Sequence, residues 1–158
     1  MKERIDFLIQ TLNLQPHPEG GYYGETYRAD LQIATGNGNR SLMTAIYFLL
    51  TSKDVSRFHR IKSDELWFHH EGSDLTVHIL DERGHTELKL GSGTTFSSPQ
   101  QLVPAEKIFG SSVDSENSYA LVSCVVAPGF DFTDFTLFEK EELIRQFPTH
   151  ETIISRLT

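Results

Sequence analysis

The sequence predicts an all-β protein, a sandwich or a barrel, with helices confined to its two ends. Two observations carry this. Between residues 22 and 126 the apolar residues fall in strand-length runs, separated by Glu71-Gly72-Ser73, Asp81-Glu82-Arg83-Gly84 and Gly91-Ser92-Gly93. Short strands with turn signals at such intervals argue against βαβ units. Outside that span the apolar spacing becomes helical.

The elements follow in order. Ile5, Leu8, Ile9 and Leu12 recur at helical spacing and predict a helix over about residues 2–13, with Phe7 off the stripe. Pro16-His17-Pro18-Glu19-Gly20-Gly21 ends it, because two prolines and two glycines cannot continue a helix. Strands are expected over 22–28, 42–50, 65–70, 75–80, 86–90 and 119–126, with a mobile loop over 34–39, which holds two glycines and two asparagines. Beyond Pro128-Gly129-Phe130-Asp131-Phe132, the string Glu139 to Ile144 favours helix and Pro148 closes it. A last helix is expected over about 151–157. The reading is one domain, 1–158, with its barrel over about 21–138 and terminal helices over about 139–157.

Bulk properties narrow the function classes. A chain of 158 residues can bury a core without metal or disulfide staples. A formal charge of -8 opposes phosphate backbones and anionic membranes, so neither nucleic acid nor membrane is an expected partner. The single cysteine, Cys124, lies in an apolar strand and reads as an inert buried thiol. The stretch Met1 to Asp6 carries acids and no apolar run, which points away from a signal peptide and toward a cytoplasmic protein with a small-molecule partner.

The informative stretch is 58–72. Strand alternation places Glu65, Trp67 and His69 on one face, and Leu66, Phe68 and His70 on the other. Alternation alone does not say which face looks inward.

The spacing of His59, Glu65 and Gly72 resembles the first motif of the cupins, with Ile61 where a second histidine stands in that family. Further segments are similar to an uncharacterised branch, cupin family five: HPEGGYY at 17–23, ETYR at 25–28, YFLL at 47–50, FHR at 58–60, DELW at 64–67, VPA at 103–105 and PGFDF at 128–132. The resemblance implies a double-stranded β-helix (cupin jelly roll), a homodimer, and kinship with sugar-nucleotide epimerases that work by acid–base chemistry without metal. It also exposes departures. Phe109 stands where the last metal-binding histidine belongs, so two of the four usual ligand positions, Ile61 and Phe109, are apolar. Glu106 and Ile108 are unusual within the branch.

Three functions follow. The first is a metal-independent isomerase or epimerase on a carbohydrate-like or nucleotide-linked substrate. His59 is then the acid/base, and Glu65 its orienter or the second titrating group; a carboxylate neighbour lets an imidazole keep its proton to higher pH. The second is a binding or sensing module without chemistry. The third is a metal-dependent oxygenase, for which His59, Glu65 and His69 are the available ligands; a catalytic site wants three protein ligands and an open position, and the reading favours no metal cofactor. Arg28 and Arg60 are candidate anion holders, with Glu19 and Glu25 as their partners or as ligand contacts. Trp67, Tyr23, Tyr47 and Phe130 could stack on a ring or simply pack, and Gln101 offers a donor and an acceptor. Pro128 to Phe132 reads as a rim, lid or dimer segment.

Overall fold

The protein is described from a computed structural model covering residues 1–93 and 96–158. The alternation seen in the sequence builds two antiparallel sheets. One runs β1 (Gln15–Pro16), β2 (Tyr22–Arg28), β5 (Thr44–Thr51), β12 (Tyr119–Ala127), β7 (Asp64–Gly72), β10 (Gln100–Val103). The other runs β13 (Thr136–Leu137), β6 (Ser56–Arg60), β11 (Ile108–Val113), β8 (Leu75–Asp81), β9 (Gly84–Leu90). A separate hairpin joins β3 (Gln32–Thr35) to β4 (Gly38–Ser41). This is the jelly roll that the family resemblance implies.

The core lies between the two sheets. Ala120, Val122, Cys124 and Val126 point inward from β12, at every second residue, and meet Leu75, Val77 and Ile79 from β8. The opposite faces are partly covered by the helices. Helix α1 (Lys2–Thr11) lays Leu8 on Leu49 and Leu121. Helices α2 (Lys140–Gln146) and α3 (Glu151–Arg156) bring Leu143 and Ile154 onto Phe58 and Leu80. Burying one such side chain contributes about 1.5–3 kcal/mol. The backbone strengthens this docking, because Phe58 donates its N–H to the Leu157 carbonyl at 2.8 Å. Among the described residues no helix is long and apolar enough to cross a membrane.

Two expectations fail for local reasons. The expected loop over 34–39 is the tip of the β3–β4 hairpin: Thr35 Oγ1 donates to the Gly38 carbonyl at 2.6 Å and accepts from Asn37 N–H, closing a tight turn. Strand β11 was not among the strands expected, because Gly110, Ser111 and Ser112 make it read as polar. All six of its residues are nonetheless buried, between β6 and β8. A Cβ on Gly110 would lie 2.6 Å from the Ser56 carbonyl, so the close approach of β6 requires glycine there.

Candidate functional site

A cavity of about 520 Å³ opens between the sheets. Strand β7 contributes Glu65 and Trp67, whose inward face is the one that carries polar groups. Strand β2 contributes Tyr23, Glu25 and Arg28, and β12 contributes Cys124. His59 enters from the facing sheet on β6, while His17 and Glu19 come from the turn before β2. Phe130 and Phe132, in edge contact at 4.9 Å, belong to the wall, consistent with a rim.

His59 is wholly committed. Its Nδ1 lies 2.7 Å from the Arg57 carbonyl, which only accepts, so Nδ1 carries the proton. Its Nε2 lies 3.2 Å from Glu19 Oε2. The other Glu19 oxygen accepts from Ser56 Oγ at 2.8 Å, and the Glu19 backbone N–H donates to His17 Nδ1 at 3.2 Å. Gly20, at φ +113°, makes this arrangement possible: a Cβ there would lie 2.1 Å from the Val55 carbonyl. That close approach sets Glu19 beside Ser56.

Burial sets the electrostatics. It pushes the His59 imidazole down to about 4, against the opposing effect of the Arg57 carbonyl. It pushes the Glu19 carboxyl up, only partly countered by His17 and the Ser56 hydroxyl. Both shifts favour a neutral pair with one proton between Oε2 and Nε2. Glu65 is raised to about 8, chiefly by burial, so it is a neutral carboxylic acid at pH 7. Burial raises the Cys124 thiol well above its ordinary value, so it is no thiolate. The Trp67 indole N–H is buried in the same wall and acts on the Glu65 carboxyl, favouring its charged form against the larger effect of burial.

His59, Glu65, Trp67, Tyr23, Glu25 and Arg28 therefore meet at one cavity; four other candidates do not reach it. His69 shares the face of Trp67 but lies farther along β7, opposite Val122 of the packed core, and its Nε2 contacts the Ser73 carbonyl at 3.1 Å. Arg60 is out of phase with His59; its guanidinium lies 3.5 Å from Glu106 and 5.5 Å over the Phe138 ring. Tyr47 points away from its cavity-lining neighbours Ile46 and Phe48, packing instead beside Leu49 and Leu121. Gln101 donates to the Lys89 carbonyl at 2.8 Å.

Two roles also change. The carboxyl that orients His59 is Glu19, not Glu65. The imidazole does not keep its proton to higher pH, because desolvation outweighs the partner. From the sequence, Glu19 reads as an arginine partner or a ligand contact. The signal that could have found it was a histidine and an acid two apart, beside two glycines, in a segment too irregular to be a strand. Arg28 does pair with Glu25, through two bonds of 3.0 and 2.8 Å, and reaches the Phe130 carbonyl.

A metal of the kind cupins hold does not fit this cavity. Phe109 packs its ring 4.2 Å from that of His59, filling space where a ligand would stand, and Ile61 is also part of the apolar core. The lone pair of His17 Nδ1 is occupied by the Glu19 N–H. Among the described residues, no three donors of the cavity come within 4.8 Å of one another.

A family model described as Cupin superfamily (DUF985) matches residues 6–138. The chain is 28% identical over 155 residues to Uncharacterized protein YML079W of Saccharomyces cerevisiae, covering 87% of this chain and 77% of that one. Among solved structures, Protein SO0799 from Shewanella oneidensis superposes with a TM-score of 0.90 at 39% identity, covering 97% of this chain and 96% of that one. A hypothetical protein from Leishmania major gives 0.90 at 37% identity, covering 97% of each chain. Oxalate decarboxylase OxdC from Bacillus subtilis shares the fold alone: TM-score 0.56, 16% identity, covering 90% of this chain and 37% of that one.

Proposed function

We propose, for a chain that belongs to the Cupin superfamily (DUF985) family, that the barrel cavity binds a small neutral polyhydroxylated molecule and moves a proton on it, as a metal-independent isomerase or epimerase. One observation carries this reading. Buried acid–base groups from the two facing sheets, the Glu19–His59 pair and Glu65, line one cavity and are displaced toward their neutral forms. Groups with such shifts in a cleft mark sites of proton transfer.

The roles follow from the proton count. With its shared proton the Glu19–His59 pair is an acid; without it, a base. Glu65 holds its own proton up to about pH 8 and can donate a hydrogen bond to an oxygen that gains negative charge. Tyr23 offers an aromatic surface in the same cavity.

Charge favours a neutral ligand over a nucleotide-linked one. Besides the neutral Glu19–His59 pair and Glu65, Glu25 and Asp131 line the cavity against one guanidinium, Arg28, whose fork Glu25 already occupies. A diphosphate would meet carboxyl groups with no free arginine.

A thermal-shift screen with neutral sugars, sugar phosphates, sugar nucleotides and small carboxylates tests the ligand class, because a ligand of the native state raises its apparent stability. Neutral sugars are expected to stabilise; stabilisation by sugar nucleotides alone overturns that assignment. The stabilising sugar is then incubated with protein in deuterated water and followed by proton NMR. Loss of a carbon-bound proton signal in the wild type, abolished in His59→Asn, supports the acid–base role. Exchange unchanged in His59→Asn removes it, and binding without exchange leaves a binding module.

A further inference from the structure

Outside the barrel, β8 and β9 form a hairpin in which His78 stands opposite Glu87 and Leu80 opposite His85. Strand alternation puts His78, His85 and Glu87 on one face, the face away from Val77 and Ile79. We propose that these three residues form a zinc site independent of the barrel cavity, with two imidazole ligands, one carboxylate ligand and a fourth position for water.

The donor spacing is the argument. His78 Nδ1 lies 3.0 Å from His85 Nε2 and 3.8 Å from Glu87 Oε1. All three donor atoms lie within 4.8 Å of one another, the one such group among the described residues. Zinc–nitrogen and zinc–oxygen bonds of about 2.0–2.2 Å at tetrahedral angles separate neighbouring ligand atoms by about 3.3–3.6 Å, so small adjustments of His85 and Glu87, the two less buried side chains, suffice.

The second shell is in place. His78 Nε2 lies 3.1 Å from Ser112 Oγ, which fixes the ring and leaves Nδ1 for the ion. At 3.0 Å one of the two facing nitrogens carries the proton of an N–H···N hydrogen bond, and binding the ion moves that proton to the other nitrogen of its own ring. Lys89 approaches the other Glu87 oxygen at 3.8 Å, leaving Oε1 free, and Arg156 adds positive charge nearby. Those two cations temper the affinity. They do not occupy a ligand atom.

The test is zinc titration of the full chain, stripped with EDTA, against a chromogenic chelator, with cobalt(II) absorption as the readout of coordination. Wild type should hold one equivalent of zinc and show the visible bands of a tetrahedral cobalt site. His85→Gln, at a half-exposed position that leaves folding intact, should weaken zinc by at least ~10-fold and lose those bands. Glu87→Gln should weaken it less, and His59→Asn not at all. Zinc uptake undiminished in His85→Gln, or failure of folded wild type to retain any, overturns the site.

Discussion

Two clusters of imidazole and carboxylate flank the five-stranded sheet, one inside the barrel and one outside it, and they have been put to different uses. His59 and His78 are both buried and both pushed down to about 4, chiefly by desolvation. Burial alone therefore does not decide what a histidine does. The second partner does. His59 meets a backbone carbonyl and a carboxyl, so its nitrogens are engaged in holding one proton in place. His78 meets a second imidazole at 3.0 Å, sharing a hydrogen bond that a cation can replace once a change of tautomer turns both facing nitrogens into acceptors.

The largest effect expected from disturbing this contrast is on Glu19. Glu19→Ala strips a partner from Ser56 and His59 and should cost on the order of 3 kcal/mol, read by denaturant unfolding. Glu19→Gln keeps an acceptor for Ser56 and a donor for His59, so its stability should fall within about 1 kcal/mol of wild type while proton exchange on the ligand is lost. Equal destabilisation by both substitutions breaks the view that a proton, and not merely a hydrogen bond, is what Glu19 supplies.

The next effect is a gain. Ile61→His combined with Phe109→His restores the two missing donors beside His59 and Glu65, and zinc stoichiometry measured by elemental analysis should rise from one to two. A stoichiometry that stays at one means the cavity excludes a cation for reasons other than its missing ligands.

Smaller, and with a definite sign, is the pH response of Glu65. Its folded value near 8 exceeds its ordinary 4.5, so the folded chain holds a proton that the unfolded chain has released between those values. Stability from this group is present below that window and is lost as pH rises through it, by up to about 1.4 kcal/mol per unit. His59 acts oppositely: its contribution is present above its ordinary 6.5 and is lost as pH falls from there toward about 4. Glu65→Gln should raise the melting temperature relative to wild type near about pH 9, and the advantage should shrink toward about pH 5. The smallest effect belongs to Arg60→Ala, expected within about 0.5 kcal/mol and without influence on ligand stabilisation, since its side chain lies at the surface.

Much of the barrel was legible because alternation is a local property: Tyr22–Arg28 is found as read, and the terminal helices lie within a few residues of their expected limits. The inward face of β7 was legible as a set, Glu65 with Trp67, though not its direction. Distance along the barrel was not. His69 has the right phase and the wrong height, since period two is blind to where a cavity ends and packed core begins. Glu19 escaped because its position depends on Gly20 meeting the Val55 carbonyl, a contact between segments 35 residues apart in number. The hairpin site needed a register: His78 faces Glu87 only once the Asp81–Gly84 turn is known.

The chain has one tryptophan, and it stands in the cavity wall beside the Glu65 carboxyl. Intrinsic fluorescence excited beyond the tyrosine band therefore reports from this wall and nowhere else. A guest seated in the cavity, or a change in the charge of the neighbouring acid, should register as a shift in emission. Occupancy can be titrated on the unmodified protein, with no dye and no knowledge of the reaction.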